Sequence, residues 1–82
     1  WVASFINKYV FVEQFNFDTE LKNTYPDHGT SVTIFGNNLF TELECLSPEK
    51  TLIIGEKITY DLSWSLQKIA NKNAANRFLK TL

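Results

Sequence analysis

Two glutamates, Glu42 and Glu44, interrupt the apolar run FTELECL over residues 40–46. Side chains alternate between the two faces of a β-strand, so both carboxylates project to one side, roughly 6.6 Å apart. An unpaired carboxylate is costly to bury, so this side faces water, lines a cleft or meets a partner. Phe40 and Leu46 share the same face, and a surface that mixes apolar groups with carboxylates suits sugar binding. The pair therefore predicts either a solvated sheet face or the acidic side of a saccharide site.

Glu13 repeats this chemistry between Phe11 and Phe15 in the segment YVFVEQFNF. For this single glutamate, we expect a structural ion pair or an exposed strand edge. The only cysteine, Cys45, alternates with apolar residues and is predicted to be a buried, unreactive thiol that forms no disulfide. His28 could act beside Asp27 as an acid or metal ligand, but one histidine without partner ligands predicts a surface loop residue. We expect no metal and no cofactor.

The elements that must position these residues are short strands joined by turns. Strands are predicted over residues 1–6, 9–17, 31–35, 39–46, 51–54 and 57–66, with a loop over 18–30. The last strand alternates cleanly, and from about residue 66 the apolar period changes to four, which is typical of an amphipathic helix. The sequence predicts a mainly β fold of antiparallel sheets forming part of a sandwich, with a short C-terminal helix. We place the β segment at 1–67 and the helix at 68–82, in a single domain or a fragment of a larger one.

Composition narrows the class of protein. Eighty-two residues make at most one small domain, and 44% hydrophobic and 15% aromatic residues indicate a globular chain. The net charge of −1 gives no electrostatic case for nucleic acid. The charge is uneven, however, because residues 1–63 carry −5 and residues 64–82 carry +4. A basic helix against an acidic body explains this, and a nucleic-acid or membrane-binding tail is the alternative.

No apolar run approaches the ~20 residues of a membrane span, so neither membrane nor nucleic acid is expected as a partner. The chain starts at Trp1 inside a strand pattern, from which we expect a piece of a longer protein. No signal peptide is visible, and the compartment stays open.

The stretch from residue 25 to residue 66 resembles the C-terminal part of galactose mutarotase-like proteins, especially aldose-epimerase-like bacterial proteins of unknown function. Those proteins share a Tyr-Pro-Asp-x-Gly loop, an E-L-E-x-L-G-P segment and a Trp-x-Leu strand, and the resemblance extends over about residues 1–68. Ser47 replaces the usual glycine, and His28 replaces a smaller residue. The matching positions are Tyr25, Pro26, Asp27, Gly29, Glu42, Leu43, Glu44, Leu46, Pro48, Gly55, Trp64 and Leu66.

The resemblance implies a large β-supersandwich that binds sugar on a concave sheet. It makes Glu44 the candidate catalytic base, with Glu42, Tyr25, Asp27 and His28 as candidate substrate-binding residues. Anomer exchange also needs an acid on the ring oxygen, and the family's acid histidine has no counterpart here. We therefore expect these 82 residues to be inactive by themselves.

Three interpretations stay open at this point. The first is a carbohydrate-binding C-terminal portion of an aldose-epimerase-like protein. The second is a non-enzymatic carbohydrate-binding or accessory β domain. The third is a small β module for protein–protein contacts. The expected partners are a small carbohydrate and either the rest of a parent sandwich or a second copy, joined through free sheet edges.

Overall fold

Two antiparallel sheets and a short C-terminal helix make up the fold in a computed structural model that describes all 82 residues. The strands are β1 (Val2–Ile6), β2 (Tyr9–Gln14), β3 (Val32–Gly36), β4 (Thr41–Cys45) and β5 (Ser63–Lys68). One sheet has the order β1-β2-β5, and the other pairs β3 with β4. The helix spans Lys72–Leu79. The mainly β, antiparallel prediction is confirmed, while membership of a supersandwich stays a prediction.

The β1–β2 hairpin forms where a tight connection was predicted. Asn7 and Lys8 both have positive φ, 51° and 64°, as a type I′ turn requires, and this turn matches the right-handed twist of its strands. Ile6 then lies opposite Tyr9 in the ladder. The local sequence therefore fixes the register of β1 against β2.

The second hairpin, β3–β4, is closed by Asn37. Its Oδ1 accepts the backbone N–H groups of Leu39 at 2.8 Å and Phe40 at 2.9 Å. The backbone N–H of Asn37 donates to the Phe40 carbonyl at 3.0 Å. Residues 36–38, between the strands predicted over 31–35 and 39–46, thus form a turn with the side-chain bonding of an Asx turn.

Three sequence boundaries are corrected by the structure. Residues 51–54 form no strand, because Ile53 and Glu56 close a turn: the Glu56 N–H donates to the Ile53 carbonyl, and the Ile53 N–H donates to Glu56 Oε1, each at 3.0 Å. The final strand covers 63–68 and not 57–66, because its ladder with β2 starts at the pair Gln14 and Ser63. Strand β2 ends at Gln14 and not at residue 17.

The helix also begins later than residue 68. Strand β5 continues through Lys68, and the N–H of Ile69 donates to the Lys8 carbonyl at 2.7 Å. Asn71 then caps the helix, since its Oδ1 accepts the Ala74 N–H at 2.8 Å. None of the helices has the length and apolar character needed to cross a lipid bilayer.

The core lies on both faces of β2. Val10 and Val12 are fully buried on one face, and Glu13 is buried on the other. The thiol of Cys45, on β4, donates to Glu13, so the second sheet lies against this second face. The buried residues are Val2, Val10, Val12, Glu13, Tyr25 and Ala75.

Candidate functional site

A cavity of about 620 Å³ lies between the loop after β2 and the irregular segment after β4. Its lining mixes rings and aliphatic groups with carboxylates, hydroxyls and one ammonium. The cavity is lined by Asn16, Asp18, Leu21, Thr24, Tyr25, Ser47, Pro48, Glu49, Lys50, Ile58, Thr59 and Tyr60.

The first wall is held in place by Asp18 and Tyr25. Asp18 starts a 3-10 helix over Thr19–Thr24, its Oδ1 accepting the N–H groups of Glu20 and Leu21 at 3.0 and 3.3 Å. The Asp18 N–H in turn donates to the Tyr25 hydroxyl at 3.0 Å. The Tyr25 ring stacks on Phe17 with centroids 4.8 Å apart. These contacts hold the Asp18 backbone and the Tyr25 ring in place. Asp18 Oδ2 makes no hydrogen bond to the protein.

The second wall is tied to the first by the backbone. The N–H of Glu49 donates to the Thr24 carbonyl at 2.7 Å. The Lys50 ammonium lies 3.8 Å from Glu56 Oε2, a long and exposed ion pair that contributes little to stability. The Glu49 carboxylate forms no ion pair, so it is available as an acceptor.

Tyr60 lines this cavity from the irregular segment that precedes β5. Its hydroxyl is buried and has no hydrogen-bond partner. Burial raises the pKa of Tyr60 above its usual value, and repulsion from the ionised forms of Cys45, Tyr25 and Glu13 adds to this rise in pKa. A buried polar group without a partner costs about 1–3 kcal/mol.

Glu13 of β2 and Cys45 of β4 form a polar pair between the two sheets. The Cys45 thiol donates to Glu13 Oε2 at 3.1 Å, and Glu13 is only 6% exposed. The expectation that Glu13 is ion-paired or on an exposed edge is therefore wrong. Burial, then the hydrogen bond to Glu13, then its charge raise the pKa of Cys45 to about 11. The thiol stays neutral near pH 7, which agrees with the predicted unreactive cysteine.

Glu42 and Glu44 lie outside every cavity. Both are exposed and project from the same face of β4, opposite Phe35 and Thr33 of β3. The opposite face of β4 carries Cys45, which turns toward the first sheet. No cavity is lined by either glutamate, so the structure gives this pair an open sheet face.

The three candidate site residues of the predicted loop, Tyr25, Asp27 and His28, do not lie in one site. Tyr25 lines the cavity and is buried, whereas Asp27 and His28 are exposed and line none. Asp27 and His28 have φ of 49° and 62° in a turn closed by the Thr30 N–H and the Pro26 carbonyl at 2.8 Å. Of the five predicted site residues, only Tyr25 reaches the cavity.

Sequence reasoning missed the cavity's other polar residues. Asp18 begins the segment 18–30, which was predicted as a loop and contains the 3-10 helix over Thr19–Thr24; a segment of this length between strands is often functional. Glu49, Lys50 and Tyr60 carried no such signal, because residues 47–50 read as a break and Tyr60 as part of a strand. No group of three or more histidine, cysteine or acidic side chains is placed to hold a metal ion.

A second cavity of about 500 Å³ opens between the two sheets. Its lining is more apolar than that of the first cavity and includes Ile6, Tyr9, Phe11, Leu43 and Leu66.

No protein-family model matches the chain, and neither a curated protein nor a solved structure matches it. The likeness to galactose mutarotase-like proteins therefore rests on the sequence motifs alone. The catalytic role of Glu44 stays a prediction.

Proposed function

We propose that this chain is a carbohydrate-binding β module whose saccharide site is the 620 Å³ cavity beside Tyr25 and Tyr60. The observation that carries the proposal is the lining: apolar surface from Leu21 and Ile58 faces the same space as two carboxylates and a lysine. The volume falls within the range of about 300–1,000 Å³ found for small-molecule sites.

Each side chain has a stated role in this site. Leu21 and Ile58, both exposed, would pack against the C–H face of a sugar ring. Asp18, through its free Oδ2, and Glu49 would accept hydrogen bonds from sugar hydroxyls, and Lys50 would donate one. With two carboxylates and one ammonium, the lining favours a neutral sugar over an acidic one.

Binding is favoured over anomer exchange on geometric grounds. Catalysis needs a base and an acid poised in one cleft. Glu44, the base implied by the resemblance, lies on an open strand face, and the only histidine, His28, lines no cavity. The aldose-epimerase-like activity of a longer protein is thus the second candidate, supported only by the sequence resemblance that makes Glu44 the base.

The test compares two exposed glutamates: Glu49 lines the cavity, whereas Glu44 lines none. Amide NMR spectra are recorded during titration with neutral aldoses for the unchanged chain, Glu49→Gln and Glu44→Gln. We expect shifts at Thr24, Ser47 and Thr59, and an affinity about tenfold lower in Glu49→Gln, because a charged acceptor is lost. Glu44→Gln should bind as the unchanged chain does.

Two results would contradict the proposal. If no sugar perturbs the spectrum, the carbohydrate function is wrong. If Glu44→Gln loses affinity and Glu49→Gln keeps it, the sugar binds on the β4 face, and the resemblance gives the better site.

A further inference from the structure

The chain exposes far more surface than a compact protein of its mass. Its accessible surface is 6584 Å², whereas a compact 9.5 kDa protein exposes about 5,000 Å². Its radius of gyration is 15.4 Å, against about 12 Å expected for this length. The excess of roughly 1,500 Å² is larger than the ~800 Å² that each partner buries in a standard protein interface. The fold therefore has an uncovered surface large enough for a stable contact.

Of the five strands, β5 is the one whose residues are all exposed, and it has a free edge. This strand pairs with β2 on one side only, and no strand covers its other edge. All six of its residues are exposed, with Trp64 at 71% and Leu66 at 67%. Natural edges are usually protected by proline, inward charges or bulges. Strand β5 has no charge before Lys68, its last residue.

We propose that β5 pairs antiparallel with β5 of a second copy, about a two-fold axis through Ser65. Directly opposed residues in an antiparallel ladder share a face. In this register Trp64 lies opposite Leu66 of the second copy, and the reverse pair forms by symmetry. Aromatic–aliphatic cross-strand pairs of this kind are stabilising. Such a contact joins two three-stranded sheets into one and closes at the dimer.

With the axis at Ser65, Trp64 pairs with Leu66 inside β5, whereas an axis at Trp64 would pair Leu66 with Leu62, which lies outside the strand. Shifting the axis by one residue toward Lys68 places Trp64 opposite Lys68 and loses an apolar pair at each end. The self-complementarity of SWSLQ about Ser65 is the reason to choose a second copy as the occupant of this edge.

A contact within the chain positions the Trp64 side chain beside this edge. Its ring meets Phe11 edge-on, with centroids 5.9 Å apart and an interplanar angle of 67°. Phe11 and Leu66 both line the apolar 500 Å³ cavity between the sheets. A second copy at the β5 edge would therefore cover Trp64 beside this cavity, and aromatic anchors of this kind carry much of the binding energy in interfaces.

The first experiment measures association by sedimentation equilibrium from micromolar to millimolar concentration. The unchanged chain should form a dimer. Trp64→Lys should weaken dimerisation by about tenfold or more, because it removes the apolar anchor and adds like charge across the axis. Ile54→Lys is the matched control, since Ile54 is 105% exposed in the turn away from β5, and it should dimerise as the unchanged chain does.

The second experiment tests the register by disulfide formation under mild oxidation. In Ser65→Cys the two substituted residues lie opposite each other across the axis, within the Cα separation that a disulfide permits. In Ser63→Cys the two sites are about 13 Å apart along the ladder and should not cross-link. The unchanged chain, whose only thiol is the half-buried Cys45, serves as the background.

Several results would overturn the proposal. A monomer at all concentrations shows that the β5 edge is left open or is covered by another part of a longer chain. Loss of the dimer in Ile54→Lys, or no loss in Trp64→Lys, places the contact elsewhere. Cross-linking of Ser63→Cys in preference to Ser65→Cys shows a different register.

Discussion

Glu13 is the residue at which local sequence and three-dimensional structure differ most. Its place between Phe11 and Phe15 on one strand face was visible in the sequence. Its hydrogen-bond partner, Cys45, lies 32 positions away. No strand pattern reports which side chain a second sheet will bring to that face, so the buried carboxylate–thiol pair could not be foreseen.

The two tyrosines that line the first cavity, Tyr60 and Tyr25, predict opposite effects of their hydroxyls on stability. The buried Tyr60 hydroxyl has no partner, so Tyr60→Phe should raise the free energy of unfolding by about 1 kcal/mol. The Tyr25 hydroxyl accepts the Asp18 N–H, so Tyr25→Phe should lower it by about 1 kcal/mol. Both substitutions remove one oxygen and nothing else. Urea unfolding of the two variants measures the difference.

The comparison of the two variants also shows whether the Tyr60 hydroxyl has a hydrogen-bond partner in solution. If Tyr60→Phe destabilises the protein as much as Tyr25→Phe does, then the Tyr60 hydroxyl is bonded in solution, for example to a buried water. Equal stability of the unchanged chain, Tyr60→Phe and Tyr25→Phe would mean that neither hydroxyl contributes to the free energy of unfolding.

At the scale of elements, the β1–β2 turn contains a strained residue whose replacement should stabilise the fold. Lys8 occupies the second central position of a type I′ turn with φ of 64°, where a side chain is strained and glycine is preferred. We expect Lys8→Gly to raise the free energy of unfolding by about 0.5–1 kcal/mol. Lys8→Ala removes the same charge but keeps the Cβ, so it should give no such gain. Thermal unfolding of both variants tests this, and equal effects would refute the turn assignment.

Elements set by local chemistry were predictable, and those set by distant partners were not. Asn7-Lys8 and Asn37 determine their turns from within a few residues, so both hairpins follow from the sequence. Residues 51–54 have strand-like composition, yet no free edge pairs with them, and they close a turn at Gly55 (φ 91°). The helix begins late because pairing with β2 extends β5 through Lys68.

The candidate cavity follows the same rule. Tyr25 was identified because it belongs to a contiguous motif with Pro26 and Asp27. Glu49 and Tyr60 reach the cavity only because the segment after β4 folds back against the loop after β2, where the Glu49 N–H meets the Thr24 carbonyl. That contact joins residues 25 positions apart, beyond the reach of strand or helix periodicity.

At the scale of the whole molecule, composition overstated the core. The chain is 44% hydrophobic, which indicated a well-filled interior, but only six residues are buried. The sheets cover each other in part, so Trp64 and Leu66 of β5 and Ile34 of β3 stay exposed. Folding of one copy alone therefore relies on a few side chains around β2.

This small core predicts a sharp contrast between two aliphatic side chains. Val12 is fully buried in the central strand, so Val12→Ala should lower the free energy of unfolding by about 2 kcal/mol through lost burial and the space left behind. Ile54 is fully exposed, so Ile54→Ala should change it by less than about 0.5 kcal/mol. Urea unfolding at one fixed protein concentration separates this contrast from any association. The contrary result is that Ile54→Ala lowers the free energy of unfolding as much as Val12→Ala does. That result would mean that the turn at Gly55 is packed in solution and that the stability of the fold does not depend mainly on β2.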